Sequence, residues 1–155
     1  MTDASKPRPA KSLQARAVGL LARREYPRSE LRDKLLATGA TADEVDPVLD
    51  ELAAQGYLSD ERFAHALVRQ KHGAYSKRSI AQTLKAKGVA GEVVSEALAG
   101  ADADDADTLV ALWRRRFGRA PADDRERARQ VRFLQSRGFG LSAILKLLRD
   151  PPVDA

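Results

Sequence analysis

Several things are missing from this sequence, and each absence removes a class of function. Its 155 residues include no cysteine. That excludes disulfides, thiolate metal centres and thiol nucleophiles. Two histidines, His65 and His72, are all the imidazole available. Aromatic residues make up only 5% of the chain, and there is no run of β-branched residues. A strand-rich core is therefore not expected. No apolar run approaches the roughly 20 residues of a membrane span, and the first residues lack the apolar core of a secretory signal. No glycine-rich phosphate loop, nucleophile elbow or HExxH pattern occurs. An enzyme is not expected, nor a nucleotide or metal cofactor, nor a membrane partner. A cytoplasmic location fits this composition.

What remains is a helical composition. Ala, Leu, Arg, Glu and Lys dominate. Apolar residues reach 43%, enough for a core, and charged residues 32%, with a net charge of +5. A basic balance of this kind invites an anionic partner.

The chain is organised around Gly56-Tyr57-Leu58-Ser59-Asp60-Glu61-Arg62-Phe63-Ala64. Gly56 can take the positive φ that ends a helix. Ser59 is an N-cap, and Asp60 with Glu61 puts negative charge at the positive end of the next helix. Phe63, Ala66 and Leu67 give that helix a buried stripe. Tyr57 and Leu58 are expected to cross through apolar surroundings.

Helical spacing continues on both sides. Leu13, Ala17, Leu20 and Leu21 predict a first helix over 13–25, and Leu31 with Leu35 a second over 28–38. Thr41-Ala42-Asp43-Glu44 reads as a capping box opening a third. The pattern then repeats. Tyr26, Leu31, Leu35, Gly39, Val45 and Leu49 recur 49 residues later as Tyr75, Ile80, Leu84, Gly88, Val94 and Leu98. Leu134, Gly138, Ile144, Leu147 and Leu148 form a fainter third copy, whose first helix carries Leu109, Leu112, Trp113 and Phe117. The fold class expected is all-α, with nine helices in three tandem three-helix repeats. The boundaries are a flexible basic arm over 1–11, repeats over 12–58, 59–101 and 102–149, and a tail over 150–155 that Pro151 and Pro152 keep out of the last helix.

Charge is segregated along the same units. Residues 40–61 carry seven acids and no base, 62–89 seven bases and no acid, and 90–107 six acids and no base; residues 108–149 carry eleven bases against three acids. The first two repeats thus pair basic first and second helices with an acidic third. The last repeat keeps the basic part alone. Its Arg114, Arg115, Arg116 and Arg119 end one helix, and Arg125, Arg129 and Arg132 fall on one face of the next. Lys77, Arg78, Lys85 and Lys87 form a second cluster. Such runs are ordinarily solvated faces, or complements to a helix C-terminus, but segregation by repeat points equally to an anion-binding or acidic-partner surface.

Other candidates have plainer readings. His65, His72 and Glu61 share a helix face but match no zinc spacing, so both histidines are expected to be ordinary surface or partly buried ones. Asp102, Asp104, Asp105 and Asp107 lack the EF-hand glycine and closing glutamate, so a solvated linker that caps a helix is expected. Tyr75 could stack on a base, yet Tyr26 holds the same place in the first repeat, so a structural role is expected. Third helices poor in Arg, Asn and Gln argue against sequence-specific duplex reading.

Taken together, these residues resemble the RecX family of bacterial regulatory proteins, from about Ala15 to Leu148. The Gly56–Ala64 stretch matches that family's Gly-Tyr-Leu-x-Asp-Glu-Arg-Phe-Ala signature. Arg28-Ser29-x-Leu31-Arg32, Ile80 with Leu84, Lys87-Gly88-Val89 and Phe133-Leu134-x-x-Arg137-Gly138-Phe139 follow in order. Ala74-Tyr75-Ser76-Lys77 departs from the Gly-Pro that relatives often carry there. The resemblance implies an elongated, curved module without catalytic activity, and a monomer is expected. Such a module lies in the groove of the filament that RecA recombinase forms on single-stranded DNA, touching duplex DNA weakly at most. It would inhibit ATP hydrolysis and strand exchange by blocking filament extension or promoting disassembly. A generic basic DNA-binding protein and a helical adaptor for an unrelated acidic protein remain as alternatives.

Overall fold

A computed structural model describes residues 10–101 and 104–152. Nine α-helices span the described residues: α1 (Ala10–Leu21), α2 (Arg28–Leu36), α3 (Ala42–Ala54), α4 (Asp60–Lys71), α5 (Lys77–Ala86), α6 (Gly91–Ala99), α7 (Asp105–Arg116), α8 (Asp124–Ser136) and α9 (Leu141–Arg149). They form three three-helix repeats: α1–α3, α4–α6 and α7–α9. The only β-type pairing among the described residues is a single bridge between His72 and Tyr75. The first helix begins three residues before the expected Leu13 and stops at Leu21, four residues short of Glu25. Residues 1–9 of the expected arm, Asp102, and the tail beyond Pro152 lie outside the described residues.

Side-chain caps set several helix starts. Thr41 and Glu44 form the expected capping box on α3. Asp104 accepts from the Asp107 amide at the start of α7, and Asp123 from the Glu126 amide at the start of α8. These bonds satisfy amides that have no partner within the helix.

The Gly56–Ala64 joint is built largely as its residues imply. Gly56 has φ +81°, and the Tyr57 and Leu58 amides both return to the Leu52 carbonyl (2.9 and 3.2 Å). Ser59 Oγ accepts from the Arg62 amide at 3.1 Å. Leu58 and Phe63 are buried. Tyr57 is the exception: its side chain is 53% exposed, so only Leu58 faces the core. The two are adjacent in a short connection, and only one of them can point inward.

Asp60 does more than complement its own helix. Its Oδ1 accepts from the Arg28 amide (2.8 Å), the first residue of α2. The next repeat does the same, with Asp105 of α7 accepting from the Lys77 amide of α5 (2.8 Å). Each acid thus caps the second helix of the repeat before it. Charged caps of this kind are worth about 1–2 kcal/mol. Replacing Asp105 by Ala should lower stability by that amount in urea unfolding. A change below about 0.3 kcal/mol would show that water replaces the bond at no cost.

The chain divides into two compact units. One contains the chain up to Ala66 together with Leu84–Val94, and the other Leu67–Thr83 together with the chain from Ser95 onward. The helices α4, α5 and α6 each contribute residues to both. In the first unit, Leu13, Ala17, Tyr26, Leu31, Leu35, Val45, Leu49 and Leu52 form one buried cluster. In the second, Leu109, Leu112, Trp113, Leu134, Phe139, Ile144, Leu147 and Leu148 form another. These clusters include the repeating apolar positions Leu31, Leu35, Val45, Leu49, Leu134, Ile144, Leu147 and Leu148, and burying each large side chain contributes about 1.5–3 kcal/mol.

Candidate nucleic-acid interface

The basic residues fall into two groups that differ in how their charge is used. In the first unit most of the charge is met by nearby acids. Arg28 pairs with Asp50 (2.6 Å), Arg32 with Asp46 (2.8 Å), Arg62 with Glu25 (2.9 Å) and Lys87 with Glu30 (3.8 Å); Arg24 also pairs with Glu30. The basic second helix and acidic third helix of the first repeat therefore neutralise each other. The hydrogen bond from Arg32 holds the Asp46 carboxyl below its ordinary range, and the same bond raises the Arg32 pKa. A lowered folded-state carboxylate pKa stabilises above the unfolded value. That contribution is lost as pH falls through the folded one, so acid and not alkali weakens this pair. These groups are largely solvated, and surface pairs of this kind contribute little to stability.

The Lys77, Arg78, Lys85 and Lys87 cluster is only partly available. The Lys77 amide is held by Asp105, and its ammonium group reaches the Ala101 carbonyl at 3.4 Å. Lys87 is engaged with Glu30, and its carbonyl accepts from the Ser29 hydroxyl. Arg78 and Lys85 are exposed on α5.

The third repeat differs. Arg116, Arg119, Arg125, Arg129 and Arg132 are exposed and make no ion pair among the described residues. Two acids that line this region are occupied by backbone: Asp123 accepts from the Glu126 amide, and Glu126 Oε2 from the Ala122 amide (both 2.8 Å). Arg129 and Glu126 are shared by two adjoining clefts. One is completed by Arg116, Phe117, Arg119 and Gln130, the other by Asp123, Arg125 and Arg132. The structure thus brings these five arginines to one region. Arg115 instead donates to the Gly73 carbonyl (3.0 Å), and Arg114 is exposed at the end of α7.

Sequence reasoning missed a ladder of cations and rings in the second unit. Tyr75 has Lys71 at 4.3 Å and Arg137 at 4.7 Å from its ring centre. Arg137 also lies 5.0 Å from the Phe133 ring, which Arg116 approaches at 4.9 Å and Phe117 meets edge-on at 5.6 Å. Tyr26 is likewise approached by Arg24 and Lys34. The shared surroundings fit the structural role read from the repeat. A base stacking on Tyr75 would have to displace a cation, at a cost of about 0.5–1 kcal/mol. The four-residue spacing of Phe133 and Arg137 was the available signal.

His65 and His72 are both exposed, and the described residues hold no group of three potential metal ligands. No helix among the described residues is long and apolar enough to cross a membrane.

Comparison with known proteins accounts for most of the chain. Family models described as the first, second and third three-helix domains of RecX match residues 15–52, 59–98 and 103–148. The regulatory protein RecX of Ralstonia pickettii is 42% identical over 92% of this chain and 89% of its own. That of Chromobacterium violaceum is 44% identical over 89% and 90%. The crystal structure of RecX from Lactobacillus salivarius superposes with a TM-score of 0.69 at 19% identity, covering 90% of this chain and 96% of that one. At that identity the likeness speaks to the fold.

Proposed function

This chain belongs to the RecX family, and on that premise we propose that it is a non-catalytic regulator that binds the RecA filament on single-stranded DNA and lowers its ATPase and recombinase activity. The observation that carries the reading beyond family membership is the unneutralised arginine surface of the third repeat. Stacked three-helix repeats expose helix faces to a partner. A DNA–protein filament offers both phosphate and protein charge to such a face. The exposed cations of the second repeat, Arg78 and Lys85, extend the set of contacts. Lys77 and Lys87 contribute only after leaving their intramolecular partners.

Reversal of Lys77, Arg78, Lys85 and Lys87 to Glu tests the second repeat's share. Filament affinity should fall while helicity by circular dichroism is retained. The loss should be about tenfold at low salt, since two of the four cations have partners of their own. Unchanged affinity at both low and moderate salt would remove α5 from the interface. A protein that acts only through naked nucleic acid would show the same salt dependence without any recombinase present.

A further inference from the structure

The cleft between the end of α7 and the start of α8 has a construction that a merely solvated charge cluster does not need. Arg116, Arg119 and Arg129 line a hollow of about 160 Å³, together with Phe117, Glu126 and Gln130. Gln130 is the key. It is 5% exposed, although Arg127 and Arg129 beside it on α8 are charged and open to water. Its Oε1 accepts from the Trp113 indole at 3.0 Å, and its Nε2 donates to the Arg119 carbonyl at 3.3 Å. A buried amide so committed ties the core of the repeat to the loop that carries Arg119. The far side of the loop is fixed by Glu126 on the Ala122 amide. Phe117 is braced edge-on against Phe133. Three arginines thus line one open space with a single acidic residue among them, and its carboxylate is already hydrogen-bonded.

We propose that this cleft is a phosphate-binding subsite for the backbone of a nucleic-acid strand, with Arg116, Arg119 and Arg129 as ligands and Gln130 as the positioning residue. The assignment rests on the regulatory reading above and specifies where the strand is held. Guanidinium forks match phosphate oxygens in geometry as well as charge. The excess of two positive charges over Glu126 suits successive phosphodiesters better than a neutral or cationic ligand. Trp113 is the only tryptophan in the chain, so its emission reports on the cleft through Gln130.

The test uses the full chain and two probes, a fluorescent oligo-dT strand and inorganic phosphate. The strand should bind saturably and perturb Trp113 emission, and inorganic phosphate should compete only at concentrations at least a hundredfold higher. Arg119→Ala with Arg129→Ala should weaken strand binding about tenfold or more. The slope of log affinity against log salt should also fall by about 1.4, at roughly 0.7 per single-strand phosphate. Gln130→Met should weaken binding in the wild-type background and have no further effect once Arg119 is Ala, which a purely structural role would not produce. Equal potency of inorganic phosphate would make this a small-anion site and overturn the strand assignment. Unchanged affinity and salt slope in the folded double variant would overturn the subsite itself. That result leaves the regulatory reading standing if both proteins still inhibit the recombinase. Inhibition absent in the wild type, with strand binding in the cleft as described, would instead sink the regulatory reading alone.

Discussion

Replacing Gly138 by Ala should destabilise the protein by about 3–5 kcal/mol, lowering the melting temperature by about 10 °C or more. Gly138 has φ +93°, where any side chain is strained. A Cβ there would lie 2.4 Å from both Ser76 Oγ and Ser79 Cβ. Neither neighbour can easily yield. Ser76 is 1% exposed, donates from its hydroxyl to the Gly138 carbonyl (2.9 Å) and from its amide to the Arg137 carbonyl (2.9 Å), and caps α5 through the Ser79 amide. The equivalent corner glycines grade the effect. At Gly88 a Cβ would meet Ser29 Oγ at 3.2 Å, and at Gly39 it would meet nothing within 4 Å. The first repeat has no repeat before it to fill that corner. Gly39→Ala should therefore cost only the backbone strain, about 1–2 kcal/mol, with Gly88→Ala between the two. Thermal melts of the three variants check the order. Equal losses would mean that backbone conformation alone sets the requirement for glycine, and that the Ser76 contact adds nothing.

The second large effect concerns binding. Reversing Arg125, Arg129 and Arg132 to Glu should lower affinity for a RecA-coated single strand about a hundredfold at low salt. The slope of log affinity against log salt should fall by about 2, as three phosphate contacts are lost. The control is reversal of Arg28 and Arg32. These basic residues begin a second helix too, but they are paired with Asp50 and Asp46. Their reversal should disturb the first repeat and leave the salt slope unchanged. Filament-binding anisotropy across a salt series separates the two. A similar loss in both variants would show that total charge governs binding, rather than the unneutralised surface of the third repeat.

Much of the architecture can be read from spacing because each repeat is local. Apolar residues three and four apart define a helix face whatever its neighbours do, and a glycine at the same offset marks each corner. Leu31, Leu35, Val45 and Leu49 are all buried, as their spacing requires. The candidate interface is less legible. The sequence shows that bases alternate with acids, but which base meets which acid depends on how helices pack in three dimensions. Arg32 and Asp46 are 14 residues apart and pair, whereas Arg129 and Glu126 line the same cleft and do not. Asp60 reads as a helix-dipole residue and Asp105 as part of a solvated capping linker, because their hydrogen-bond partners lie 32 and 28 residues away, on the preceding repeat. In the sequence Gln130 is one polar residue on an arginine-rich helix, and its spacing carries no sign of burial. Its burial follows from Trp113, whose indole donor needs an acceptor inside the core.

The most direct test of the regulatory assignment is the single-stranded-DNA-dependent ATPase rate of the RecA recombinase from the same source, titrated with this protein. The account predicts that the rate falls as the protein is added, and that the Arg125, Arg129 and Arg132 reversal requires much more protein for the same fall. A rate that stays constant while the protein binds naked strand tightly would contradict it, and would make this chain a nucleic-acid-binding protein with no action on the recombinase.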